Sequence, residues 1–378
     1  MFLFERIFGI CTYMLVLIFA CFILVKTSIS CKSVFRFYLF CLCIMAFFYK
    51  PYVTADLYRI FEQMAYFSSL DFDLFWKDYV LNSSSPASRL LFWFFGKTGI
   101  NALLPAFSAF FCYSLIFYTI RKTKQLFNIS NQTVAIVLFH IMTTSIFISV
   151  VGGIRMMLAL SMITFSYFRA TVEKKITVIE ILFFIVSTFI HTTSFVAIGI
   201  VALTLLFDSN KSALKKIGSA VAIGVIAAVF VVKFSGTAQG LYNKFLDYIL
   251  GDKHSDMWEY LMGAFITVVL LLVFGEFRHL RKDFDCSNVN KCNLAAVFCV
   301  ILAICFCFEF SIFYRFGGHL AVMFSIPSMM IALEKTKGKS SVFIRGVDLK
   351  TLVILLSCII AAISCARGSL CSLKFFEL

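Results

Sequence analysis

Residues 151–195 read VGGIRMMLALSMITFSYFRATVEKKITVIEILFFIVSTFIHTTSF. Two apolar runs flank a charged turn at Glu173, Lys174 and Lys175. The pattern predicts a helical hairpin long enough to cross a bilayer twice. Its open end carries Arg155, just after Gly152 and Gly153, and His191, just before Thr192, Thr193 and Ser194. Both ends therefore meet on one side of a membrane. An arginine in so apolar a setting costs about 2.5–3.5 kcal/mol at a helix centre, and less near the interface. An anionic ligand would offset that cost; so would a lipid phosphate reached by snorkelling.

Composition extends this hairpin to the whole chain. Of 378 residues, 61% are hydrophobic and 14% charged, with mean hydropathy +0.95. Soluble domains carry about 25% charged residues. Apolar runs recur from end to end, so the sequence predicts one all-α polytopic membrane domain over residues 1–378, with about twelve transmembrane helices. The net charge of +14 does not indicate a nucleic-acid partner, because Lys and Arg concentrate in alternate short loops, the positive-inside pattern. Most of the 14 cysteines sit inside apolar runs, where thiols act as small hydrophobes, and no zinc spacing occurs. The first apolar run follows Glu5 and Arg6 without a small-residue cleavage site, and is read as a retained helix.

In chain order, helices are expected near 7–25 and 37–49, separated by a basic loop with Lys26, Lys32 and Arg36. That loop is assigned to the cytoplasm and both termini to the outside. Residues 50–89 form the first long outer loop, with Asp56, Glu62, Asp71, Asp73 and Asp78 set against Lys50, Arg59, Lys77 and Arg89. Its aromatics Tyr52, Tyr58, Tyr66, Trp76 and Tyr79 suit sugar stacking or an interfacial belt equally. The run 90–120 is interrupted by Gly96, Gly99 and Pro105, which predicts a broken or re-entrant piece followed by a full span. Further spans are expected near 134–150, which carries a packed His140, then 192–207 and 217–232. The second outer loop, 233–259, has Tyr242, Phe245, Tyr248 and Ile249 at helical spacing, predicting a short helix lying on the membrane. A charged loop at 276–291, a span near 294–308, another opening at Arg315 and a last helix after the loop 334–350 complete the chain.

The chemistry-bearing candidates gather at the outer ends. Arg155 and Arg315 each stand beside glycines, and two guanidiniums facing one cavity make a good diphosphate site. His191 suits a proton carrier, because the imidazole side chain in general titrates near operating pH. Asp56 is a candidate base on a sugar hydroxyl, or a partner of Arg59. Lys50, Tyr58, Arg59, Glu309, Tyr314 and His319 complete the candidate substrate-binding set. No Gly-rich phosphate loop or HExxH signature is present, and nothing in the sequence calls for a metal or other cofactor.

Four segments carry a family resemblance. KPYVTADLYRIF from Lys50, GGIRMMLAL from Gly152, FIHTTS from Phe189 and YRFGGHLAVMFSIP from Tyr314 resemble the EpsG-like, Wzy-type polysaccharide polymerases in order and spacing. The resemblance implies a GT-C-like membrane glycosyltransferase of the bacterial inner (plasma) membrane. It would join undecaprenyl-diphosphate-linked oligosaccharide repeats at the outer face, making O-antigen or capsular polysaccharide. Membrane lipids and a chain-length regulator are the further partners it implies. A flippase for the same lipid-linked sugars is the rival reading, and would need internal repeats and charges near the midplane. A membrane acyltransferase would want a deep histidine with an acidic partner, which His140 lacks nearby in sequence.

Overall fold

The computed structural model describes residues 2–51, 55–144, 146–206, 257–280, 287–307, 310–336 and 347–367. Among them no strand occurs. Helix α1 spans Phe2–Lys26 and α2 Cys31–Phe47. The second helix starts six residues before its expected position, because Ser30 caps it by accepting the Ser33 N–H at 3.2 Å. Lys32 and Arg36 therefore lie on helix, not in a loop.

The expected loop 50–89 is largely helical. Helix α3 (Asp56–Ser69) buries Leu57, Ile60, Met64 and Phe67, one stripe of an amphipathic helix. Helix α4 (Phe72–Phe75) runs into a π-helical turn, Trp76–Val80, and α5 covers Pro86–Lys97. The aromatics of this region pack on one another. Phe75 stacks on Trp93 at 5.8 Å, and the hydroxyls of Tyr66 and Tyr79 bond at 2.8 Å. These rings hold α3, α4 and α5 together as a cap. Gly96 completes it: an added Cβ would lie 2.5 Å from the Met64 carbonyl oxygen, so only glycine permits this approach of α5 to α3.

The expected break follows at Gly99, whose φ of +70° turns the chain into α6 (Leu103–Phe127). Next come α7 (Asn131–Thr143) and α8 (Ile146–Gly152), two pieces where the sequence suggested one helix. The hairpin of residues 151–195 is present as α9 (Ile154–Thr171) and α10 (Val178–Ile190), packed along each other, with α11 (Thr193–Leu206) after it. Thr177 and Glu180 form a reciprocal capping box that starts α10. The helix expected over 217–232 and the loop 233–259 fall outside the described residues, apart from the start of α12 (Met257–Leu280). Helix α13 covers Ser287–Cys305, seven residues earlier than expected.

The centre of the bundle is a rod formed by Phe310–Phe313, a π-helical segment Tyr314–Leu320, and α14 (Ala321–Lys335). All residues from 316 to 333 are buried, and α6, α7, α9, α12 and α13 pack around the rod. A helix apolar on every side must be buried in this way. Helix α15 (Leu349–Arg367) closes the outside against α7 and α12. Among the described residues, five helices are long and apolar enough to cross a membrane: α1, α6, α12, α13 and the rod from Tyr314 to Lys335. The described residues are all-helical, and their apolar spans mark a multi-pass membrane protein.

Polar contacts sort its loops into two poles. The Tyr118 hydroxyl donates to the Glu173 carboxylate at 3.0 and 3.2 Å, tying the end of α6 to the hairpin turn. Arg169 pairs there with Glu180 at 2.8 Å and Glu173 at 3.5 Å. The Ser130 and Thr133 hydroxyls each donate to Glu334 at 2.6 Å, joining the start of α7 to the end of α14. These helix ends make up a lysine-rich pole, with Lys122, Lys124, Lys174, Lys175 and Lys335 around it. The candidate residues stand at the other.

Candidate functional site

Arg155 lies in the first turn of α9, directly after the Gly152-Gly153 break at the end of α8. An added Cβ on Gly152 would meet nothing within 4 Å, so the backbone before the arginine faces open space. The half-buried Arg155 guanidinium is attracted by the carboxylate of Asp56 and repelled by Arg315. A third arginine belongs to the same neighbourhood. Arg89, in the first turn of α5, repels Arg155, donates to Gln63 Oε1 at 2.9 Å and sits 5.3 Å over the Phe67 ring.

Thus α3 supplies Asp56 and Gln63, α5 supplies Arg89, the α8–α9 junction supplies Arg155, and the π segment supplies Arg315. The Arg155 guanidinium is repelled by both Arg89 and Arg315, and a polyanion placed among them relieves that repulsion. The bidentate fork of each matches phosphate oxygens. Arg89 was legible in the sequence only as the end of a polar loop. Its signal is the one that Arg155 carries: a lone arginine after small residues (SSSPAS here) at the head of an apolar helix.

The π segment explains how Tyr314, Arg315 and His319 relate. A π-helix bonds residue i to i+5, so the side chains at 314 and 319 come into register. The Tyr314 and His319 rings meet edge to face at 4.4 Å, with Gly318 beneath the Tyr314 ring. The Tyr314 hydroxyl donates to the Thr144 carbonyl oxygen at 3.2 Å, in the break between α7 and α8. That bond anchors the π segment to the strand of chain leading to Arg155. His319 is fully buried, senses the charge of Arg315, and neither ring nitrogen has a hydrogen-bond partner among the described residues. It stands behind Arg315 rather than on the open face.

The remaining candidates are more dispersed. Asp56 and Arg59 are exposed and pair across one helical turn at 3.7 Å, as expected for a surface pair. Tyr58 is half-buried on α3, and Lys50 is exposed just before Pro51. His191 caps α10, and its Nδ1 accepts the Thr193 N–H at 3.1 Å. That acceptor role places the proton of the neutral ring on Nε2. The Ser194 hydroxyl donates to the Ser187 carbonyl oxygen at 2.7 Å and secures the bend. Glu309 and Tyr52 lie outside the described residues.

The described residues form a multi-pass helical membrane protein with its candidate arginines gathered at one pole. The model of the EpsG family, a family of Wzy-type polymerase-like membrane proteins, matches residues 56–370. The chain belongs to the EpsG family. Neither a curated protein nor a solved structure gives a significant match.

Proposed function

We propose that the protein polymerises lipid-diphosphate-linked oligosaccharide repeats at the outer face of the bacterial inner membrane. The observation that carries this reading is the shared electrostatic neighbourhood of Arg89, Arg155, Arg315 and Asp56 at one pole. In the reaction, a hydroxyl of the incoming unit attacks the anomeric carbon of the growing chain. The bond from that carbon to the diphosphate breaks, and the lipid diphosphate leaves with the electron pair. Negative charge grows on the leaving group, and preorganised guanidiniums stabilise it without reorganising.

Asp56 is the proposed acceptor of the hydroxyl proton, with Arg59 setting its orientation. His191 is the second candidate, through Nε2 only after the ring turns its proton elsewhere, because Nδ1 is engaged by Thr193. Lys50, Tyr58 and Tyr314 are proposed to contact the sugars and Glu309 to contact either the sugars or an arginine. We extend the reading to about twelve spans by the usual bilayer-length rule, in a GT-C-like arrangement. The substrates are undecaprenyl-diphosphate sugars destined for O-antigen or capsule, and a chain-length regulator is the proposed protein partner.

The test is direct. Purified protein in lipid discs is incubated with undecaprenyl-diphosphate-linked repeat units and the products are resolved by size. A ladder of multiples with release of undecaprenyl diphosphate is the expected result. Movement of the lipid-linked unit between leaflets with no ladder would replace this reading by the flippase.

A further inference from the structure

A second polar site lies at the opposite, lysine-rich pole. A cavity of about 340 Å³ opens between α2 and α6, which pack side by side along much of their length. Three of its lining residues are cations and none is an acid: Lys32 and Arg36 from α2, and Arg121 from α6. None of the three is ion-paired among the described residues. Arg121 is held in place by its position 5.7 Å over the Tyr118 ring, and Tyr118 is held by Glu173. Glu173, the acid that Tyr118 bonds, is itself paired with Arg169. The start of α2 also points its positive dipole end at the same place.

The charge does not extend through the cavity. Its floor is formed by Phe35 and Phe117, stacked at 4.7 Å and nearly fully buried. Leu39, seven residues along α2 from Lys32, lines it further in, roughly 10 Å deeper at the rise of an α-helix. A free phosphate would fill only the outer half. A molecule with an anionic head and a hydrocarbon tail fills both.

We propose that this cavity binds a glycerophospholipid with an anionic headgroup, of the phosphatidylglycerol or cardiolipin type, from the leaflet at the lysine-rich pole. Basic pockets between transmembrane helices are suited to such headgroups. The site is separate from the arginine pole and does not depend on the polymerase reading.

The experiment uses full-length protein in detergent, with lipid retention read by native mass spectrometry and thermal unfolding. Phosphatidylglycerol is expected to remain bound and raise the melting temperature, while phosphatidylcholine does neither. The triple variant Lys32→Gln, Arg36→Gln, Arg121→Gln should lose at least tenfold in retained phosphatidylglycerol, with an unchanged melting temperature in lipid-free detergent. Ser114→Trp keeps the charges and blocks the groove, so it should lose the lipid as well; it decides the matter if the triple variant fails to fold. Full retention in either folded variant overturns the proposal. Equal stabilisation by glycerol phosphate or inorganic phosphate also overturns it, and makes the pocket a soluble-anion site.

Discussion

The hydroxyl of Tyr314 donates to the carbonyl oxygen of Thr144 at 3.2 Å, across 170 residues of chain. One bond thereby couples the π segment bearing Arg315 to the interrupted helix that leads to Arg155. A net hydrogen bond of this kind is worth about 0.5–1.5 kcal/mol, too little to decide folding and enough to shift the aim of an arginine. Tyr314→Phe should therefore leave protein in the membrane at normal levels and lower polymer yield several-fold. Wild-type polymer from Tyr314→Phe would mean that the bond has no part in the site.

Arg155→Lys should impair polymerisation almost as much as Arg155→Ala. A lysine keeps the charge and loses the planar fork of donors. Polymer length and amount from the two variants, compared at equal protein level, make the measurement. Full rescue by lysine would reduce Arg155 to a point charge at the membrane surface.

Arg155 and Arg315 repel one another across the site, which motivates a double-mutant cycle. Each single alanine variant should abolish most polymerisation, and the double variant should be little worse than either, as for groups acting on one transition state. On the proposed function, cells should still display single-repeat glycolipid, because attaching one unit needs no polymerisation step. Losses that multiply would assign the two arginines to separate sites.

Arg89 is expected to behave as a third member of the group. Arg89→Ala should cost polymer yield on the scale of Arg155→Ala, and Gln63→Ala, which only releases the 2.9 Å tether, should cost less. The relevant readout is yield of polymer per unit of membrane protein. An Arg89→Ala variant with normal polymer would place this residue with the cap that holds α3 and α5 together.

Gly96→Val tests that cap. Even a Cβ would approach the Met64 carbonyl oxygen to 2.5 Å, so the larger side chain must push α5 from α3. Lower thermal stability in detergent is expected, with polymerisation lost alongside it as Arg89 and Asp56 separate. Unchanged stability would show that the helices part without cost.

Much of this molecule was legible in its sequence, and the reasons are physical. The helical hairpin at residues 151–195 was readable from its two apolar runs and the charged turn between them, although neither α9 nor α10 is among the five described helices long and apolar enough to cross a bilayer. The break near Gly99 was readable because glycine is the residue that takes a φ of +70° easily. Helix α3 was not: its charges at Asp56, Arg59 and Glu62 look like loop composition until the stripe of Leu57, Ile60, Met64 and Phe67 is counted. The start of α2 was placed late because charged residues within a first turn resemble a loop, whereas the Ser30 cap marks the true beginning. Arg155 and Arg315 were readable individually from the cost of charge in apolar surroundings. The electrostatic link between Arg89 and Arg155 was not, since the two stand on helices far apart in the chain. The π geometry at Tyr314–Leu320 left no signal beyond its paired glycines.

That π segment makes the chain locally intolerant of editing. A π turn holds more residues than an α turn over the same stretch, so the rod already contains surplus length at 314–320. Removing one residue there would let the segment relax into regular α geometry, absorbing the surplus and turning the side chains inside 314–320, Arg315 among them, relative to α14. The direction in which Arg315 points is thus stored as a residue count in a rod that neighbours hold fixed, and a single deletion would erase it while leaving every side chain of the site in the sequence.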